Sequence, residues 1–260
     1  MKFRELEEEL MKVADLKYAE DWDNSGLQCG NRDKEIKRVF LALDCTDDVI
    51  DQAISFNADL ILTHHPLIFS PLKSIDSEDY IGKRIYKLIA NDIVLYAMHT
   101  NFDVCAMRDE LDRRVEIVDT KPLLDLPGFP GMGIGSAGNL KNEMTLAELN
   151  ERIIDRFNIS NLKFFGEEDR KVSRVGILGG SGKSEIDLAV KMGCDVYISG
   201  DIDHHSGIDA LEKGIAVIDA GHFGLEHVFS EYMEKYLNEN LGCLLVKRER
   251  WHEPFSVIKK

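Results

Sequence analysis

A chain of 260 residues with 44% hydrophobic and 8% aromatic residues has the apolar content of a packed globular protein, not of a disordered tail. Its formal net charge of −15, with no basic run, argues against non-specific binding to nucleic acid or to an anionic membrane. No apolar run approaches the roughly 20 residues that span a bilayer. The charged N-terminus, Met1-Lys2-Phe3-Arg4-Glu5-Leu6, lacks a signal-peptide core, so a cytoplasmic protein is expected.

In chain order, Phe3, Leu6, Leu10 and Val13 predict a helix over about residues 3–16. A strand follows at 38–43, then Asp44-Cys45-Thr46 and a helix that turns Val49, Ile50, Ala53 and Ile54 inward. A second strand, Leu60-Ile61-Leu62, ends in Thr63-His64-His65-Pro66. After a helix near 80–90, the strand Ile93–Ala97 ends in His99-Thr100-Asn101-Phe102-Asp103. Two strands therefore deliver polar side chains at their C-terminal ends, where sheet-based sites form. Residues 122–138 hold three prolines and five glycines and read as a linker. Beyond them, Thr145 and Glu148 have capping-box spacing and open a helix to about Phe157. The five cysteines contain no C-x-x-C pair and mark neither a disulfide framework nor a reactive thiolate; Cys194 and Cys243 read as buried.

The second half repeats the first. An offset of 136 residues aligns Arg38-Val39 with Arg174-Val175, Ile50-Asp51 with Ile186-Asp187, Ala53 with Ala189 and Asp59 with Asp195, without a gap. The expected fold is α/β, with two similar lobes related by this repeat and a two-metal site at strand C-terminal ends.

Adjacent histidines at a strand end are unusual, because alternate strand residues face opposite sides. They converge only where the strand stops, and Pro66 enforces that stop. Two imidazoles there suit iron, zinc, manganese or nickel, the alternative being one buried structural histidine beside an exposed one. His222 and Glu226, in Gly221-His222-Phe223-Gly224-Leu225-Glu226, are i and i+4 on one helix face after the strand at 215–218. An exposed side-chain pair is the plainer reading of those two. With Asp103 they make three histidines and two carboxylates, a mixed set for two divalent ions. His99, Asp201 and His205 are neighbours of this set, with the two histidines suited to proton transfer. Gly133-x-Gly135-x-x-Gly138 lacks the preceding strand of a dinucleotide fingerprint, and Gly182-Lys183-Ser184 lacks the first glycine of a P-loop.

Trp22-Asp23-Asn24-Ser25-Gly26-Leu27-Gln28, His64-His65-Pro66-Leu67-Ile68-Phe69, His99-Thr100-Asn101-Phe102-Asp103, Gly200-Asp201 and Gly221–Glu226 stand in an order that resembles the Nif-three-like family, whose members are labelled GTP cyclohydrolase I type 2 homologues. The resemblance runs from about residue 3 to about 245. It implies a chain that enters a second lobe and returns, with residues 1–120 and 195–260 forming the metal-binding lobe and 121–194 the smaller one. It implies metal ligation by His64, His65, Asp103, His222 and Glu226, two divalent ions per subunit with iron first, and a homohexamer. It further implies a metal-dependent hydrolase acting on a nucleotide or phosphorylated small molecule. The alternatives are an iron-handling or metal-chaperone protein of iron-guanylylpyridinol cofactor biosynthesis, with a guanylyl-containing ligand, and an oligomeric scaffold with structural metal. One departure stands out: Ser136 occupies a position where the family usually has arginine, which weakens the expectation of phosphate recognition.

Overall fold

A computed structural model describes residues 1–250 and 255–256 of the chain. The chain forms two compact units, residues 1–102 with those from 229 onward, and residues 103–228. The first unit opens on the helix Phe3–Val13, which buries Phe3, Leu6 and Leu10. It ends sooner than the apolar spacing predicts, because the Asp15 carboxylate accepts from Lys17 N–H and caps a separate 3-10 turn, Leu16–Tyr18. Then come β1 (Gly26–Cys29), β2 (Arg38–Ala42), β3 (Leu60–Thr63) and β4 (Val94–Ala97). Strands β2, β3 and β4 are parallel, with Val39 beside Leu60 and Leu60 beside Val94, while β1 runs antiparallel to β4. The crossover helices are Asp47–Phe56, capped by the Thr46 hydroxyl, and Tyr80–Ala90, capped by Asp79. Val49, Ile50, Ala53 and Leu88 pack from them onto Phe40, Ile61 and Leu95 of the sheet.

The second unit begins with a π-helical turn, Asp103–Met107, and the helix Arg108–Val115. Its six strands are β5 (Ile117–Asp125), β6 (Gly133–Thr145), β7 (Lys163–Phe165), β8 (Lys171–Ser181), β9 (Val196–Gly200) and β10 (Ala216–Asp219), in the sheet order β5-β6-β8-β9-β10-β7. Strands β8, β9 and β10 are parallel and the other pairs antiparallel. Residues 122–138 are therefore no linker: most of them form the β5–β6 hairpin, with Pro122 opposite Ser136. Because β5 is the sheet edge, a proline there removes no interior ladder bond. The helix Leu146–Phe157 has the expected reciprocal cap, Thr145 N–H to Glu148 and Glu148 N–H to the Thr145 hydroxyl.

The repeat is visible in the hydrogen bonds themselves. In the first unit the Asp59 carboxylate accepts from the amides of Lys37 and Arg38, and Asp59 N–H donates to Arg38 C=O. In the second, Asp195 accepts from Ser173 and Arg174 amides and donates to Arg174 C=O. The strand registers carry the same offset of 136, with Val39 beside Leu60 and Val175 beside Val196. Each unit thus clamps the start of one parallel strand to the start of the next.

The helix Val228–Asn240 leads back to the first unit, where β11 (Leu245–Arg248) pairs with β2 and completes the order β1-β4-β3-β2-β11. The expected lobe boundaries at 121 and 195 both fall within the second unit, because β5, β9 and β10 all belong to its sheet, and the return comes at residue 229. Residues 251–254 and 257–260 of the expected lobe lie outside the described residues. Cys194 is buried as expected, but Cys243 is exposed, since it sits in the turn between the last helix and β11.

Asp112, buried in the helix Arg108–Val115, accepts a hydrogen bond of 2.9 Å from the Ser136 hydroxyl. Burial outweighs that bond and pushes its carboxyl up to about 6. A raised acid is a stabilising element only while protonated. Its contribution is full below the unfolded value near 4 and is lost as pH rises through about 6. We expect Asp112→Asn to flatten this dependence and to be more stable than the parent by on the order of 2 kcal/mol at pH 8, with little difference at pH 4. Urea unfolding at the two pH values measures it.

Candidate metal centre

In the first unit the ladder continues just beyond β3. His64 N–H donates to Ala42 C=O and His65 N–H to Leu43 C=O, so both backbones are held where the strand ends. The Thr63 hydroxyl donates to His65 C=O at 2.8 Å. The His64 ring is enclosed, with the Phe102 and Phe229 rings centred 6.1 and 5.4 Å away. The His65 ring is centred 5.0 Å from it, and His99, just past β4, lies 5.3 and 5.6 Å from the two. Ligand atoms of His64, His65 and His99 all fall within 4.8 Å of one another.

Each of these rings has its Nδ1 committed. His64 donates to Met98 C=O at 2.8 Å, His65 to Asp44 Oδ1 at 2.8 Å and His99 to Asp23 Oδ1 at 2.7 Å. A carbonyl or carboxylate only accepts, so the proton of each neutral imidazole is on Nδ1 and the lone pair is on Nε2. This is how proteins orient histidines for metal ligation. Asp23 is itself held firmly. Its side chain is fully enclosed, and it accepts from the Ser25 hydroxyl at 2.6 Å and from the Thr100 hydroxyl and amide at 2.6 and 3.1 Å. Burial opposes its ionisation, but the His99, Ser25 and Thr100 donors prevail and hold it below the usual carboxylate range.

In the second unit His222 opens the five-residue helix His222–Glu226 directly after β10. Its Nδ1 donates to Asp201 Oδ2 at 2.9 Å, and its Nε2 lies 2.9 Å from Oε2 of the buried Glu226. A neutral imidazole has one proton for these two carboxylates, so the Nε2 side calls for a second proton or a metal cation. The backbone around the pair is arranged for close approach. A Cβ on Gly180, whose φ is +72°, would collide with Glu226 Oε1, and one on Gly200 would lie 2.5 Å from His222 N. Asp219 fixes both partners: it accepts from Ile202 N–H at 3.0 Å, Gly221 N–H at 3.1 Å and Lys163 Nζ at 2.9 Å, bracketing Asp201 and His222.

The structure thus gathers His64, His65 and His99 in one unit and His222, Glu226 and Asp201 in the other. His99 lies with the other two imidazoles of the first unit, next to the expected ligands. Asp103 is the first residue of the π-helical turn and half-buried, not a solvated loop residue. His205 lies on the exposed first turn of the helix His204–Glu212, edge-on to His204 at 5.3 Å, and among the described residues joins no group of three metal-ligating side chains. Ser136 is fully buried in β6, where its hydroxyl serves Asp112. Asp23, Asp44 and Asp219 were not singled out from sequence. Asp44 follows β2 as His64 follows β3, so the strand-end rule applied once more finds it. Asp23 stands in the motif Trp22–Gln28 without a role being read for it, and nothing local marks Asp219.

A family model for Duf34/NIF3 (NGG1p interacting factor 3) matches residues 1–249. The chain belongs to the Duf34/NIF3 family. It is 38% identical over 242 residues to a GTP cyclohydrolase 1 type 2 homolog of Clostridium acetobutylicum, covering 91% of this chain and 90% of that one. It is 35% identical to one of Methanocaldococcus jannaschii, covering 95% and 98%. Among solved structures it resembles the Staphylococcus aureus protein SA1388 (TM-score 0.88, 30% identity, 99% of each chain). It also resembles reduced HcgD from Methanocaldococcus jannaschii (TM-score 0.85, 34% identity, 95% and 97%). The NIF3 fold, two mixed sheets and a histidine and carboxylate cluster resembling a metal site are thus properties of this chain. Among its described residues no helix is long and apolar enough to cross a membrane.

The tautomers are directly observable. In long-range proton–nitrogen spectra of the metal-stripped protein above pH 8, we expect His64, His65 and His99 to show protonated Nδ1 and bare Nε2. Protonation at Nε2 in any of the three would overturn the orientation argued above.

Proposed function

We propose that this Duf34/NIF3 protein binds two divalent ions per subunit through His64, His65, Asp103, His222 and Glu226 and hydrolyses a nucleotide or phosphorylated small molecule. Iron is the first choice of ion, with zinc, manganese or nickel as alternatives for an imidazole and carboxylate set. The observation that carries the reading is the pinned histidine. Three imidazoles in the first unit are held by Nδ1 and present Nε2 close to one another, those of His64 and His65 as ligands and that of His99 beside them. The second unit adds an imidazole flanked by two carboxylates, where positive charge is wanted. The names of the relatives support a nucleotide substrate.

When bound, divalent ions supply Lewis acidity and bring the pKa of water towards neutrality. The chain's own groups do the rest. His99 is outside the five ligands and has the Asp23 carboxylate behind it, so its Nε2 is placed to take up a proton while Asp23 stabilises the imidazolium. Asp201 acts through His222 as a positioning residue, fixing its ring by the Nδ1 bond. Structural metal sites tend to be closed and cysteine-rich, which places a scaffold role last. The second reading is metal handling without turnover, which the same pinned imidazoles would serve and which a likeness to reduced HcgD, 34% identical to this chain, keeps in view.

We expect His64→Ala and Glu226→Ala each to lose most bound metal by elemental analysis while keeping the parent's far-ultraviolet circular dichroism. Metal-loaded parent protein, incubated anaerobically with GTP and purine analogues, should give ring-opened or dephosphorylated product above the Glu226→Ala control. No product above that control, with iron passing readily to a chelator, would favour metal handling. On assembly, the proposal is a homohexamer. Analytical ultracentrifugation should give a species near six times 29.5 kDa, and monomer alone at micromolar concentration would refute it.

A further inference from the structure

Two large aromatic rings beside the first-unit histidines are left open to solvent. Trp22 is 58% exposed and Phe69 57% exposed. Their ring centroids are 5.8 Å apart at an interplanar angle of 47°, and Trp22 stands edge-on to His99 with centroids again 5.8 Å apart. Neither ring is fixed by burial, yet the backbone beside each is fixed by hydrogen bonds. Asp23, next to Trp22, accepts from His99, Ser25 and Thr100. Next to Phe69, Ile68 C=O accepts from the Asn24 amide side chain at 2.6 Å, and Ile68 N–H donates to Gln28 Oε1 at 3.2 Å. Asn24 and Gln28 therefore tie the segment bearing Trp22 to the segment bearing Phe69.

The geometry points to Trp22 and Phe69 as a stacking wedge for the flat heteroaromatic ring of the ligand that the neighbouring histidines serve. This inference rests on reading His64, His65 and His99 as part of a metal centre. A wedge of two π-faces offers strong contact to a planar ring and little to a sugar or a phosphate. Polar ends of the same ligand would lie towards the histidines, since Trp22 touches His99. The chain's net charge of −15 gives a phosphate group no general attraction, so the ring is where much of the affinity must originate. Because the backbone beside each ring is already fixed, only side-chain freedom is lost on binding.

The test uses the full chain carrying Trp251→Phe, which leaves Trp22 as its one tryptophan. Guanosine should change the Trp22 emission, whereas ribose 5-phosphate should not. Calorimetry on metal-loaded protein should show guanosine binding weakened about ten-fold or more by Trp22→Ala and largely retained in Trp22→Phe. Metal content should be the same in all three proteins. Failure of the parent to bind guanosine, or equal weakening of guanosine and ribose 5-phosphate by Trp22→Ala, would overturn the wedge. So would an emission change that follows protein concentration and not guanosine, which would assign the rings to a contact between copies of the chain. Loss of metal binding in the parent would instead count against the metal reading, and the emission titration still reads the wedge by itself.

Discussion

A histidine becomes a useful ligand only when something decides which of its nitrogens carries the proton, and in this protein that decision is made by oxygens the fold has already fixed. Met98 C=O belongs to the chain just beyond β4, whose amide is bonded to Thr63 C=O at the end of β3. Asp44 follows β2, and Asp23 is locked by three neighbouring side chains and two amides. The tautomers of His64, His65 and His99 are therefore consequences of strand pairing and loop bonding. A change in β2–β3–β4 register would misplace the acceptors before it disturbed the imidazoles. Stability and chemistry share the same bonds here.

The internal repeat gives both units the same strand ends with different side chains on them. The parallel register carries an offset of 136 between β3 and β9, and of 122 between β4 and β10. On those offsets His65 corresponds to Asp201 (65 + 136) and His99 to Gly221 (99 + 122), one residue before His222. Both units thus load the ends of their second and third parallel strands, and both bind the start of one strand to the next through an aspartate, Asp59 or Asp195. What differs is the terminal chemistry, imidazoles in the first unit and an imidazole between carboxylates in the second. The second arrangement needs room, and Gly180 and Gly200 provide it where any Cβ would collide.

Much of this was legible from residue order because apolar strands ending in polar residues are local patterns. His64, His65, His99, His222 and Glu226 all lie at element ends that the sequence displays. The repeat was legible for the same reason, since Asp59 and Asp195 make identical bonds and stand at identical spacing. Three features were not. Proline and glycine in residues 122–138 mark a flexible chain when read locally, but Pro122 occupies an edge strand, where its missing N–H costs nothing. Strands β9 and β10 read as apolar whichever sheet they join, so the point of return to the first unit had no local mark. Asp23 and Asp219 act through partners as far as 77 and 56 residues away, and no spacing rule reaches that far.

The pinned tautomers also bear on charge. An imidazole that donates Nδ1–H and uses Nε2 as a ligand carries no charge, so as metal ligands His64 and His65 would bring donor atoms without positive charge, while Asp23 and Asp44 behind the trio bring carboxylates. In the second unit His222 stands between Asp201 and Glu226, again with more acid than base. Left to itself, such a surrounding repels anions, and the chain's −15 offers no remedy at longer range. A phosphate-bearing ligand would find no arginine at Ser136 either, because that hydroxyl is buried against Asp112. Any attraction for the phosphate of such a ligand would therefore have to come from bound cations, and the excess of carboxylates is what would make these positions attractive to them. The arrangement that would repel a phosphate from the bare protein would favour it with cations in place, so on the proposed reading the phosphate's share of the affinity depends on the metal and the share of a flat ring does not.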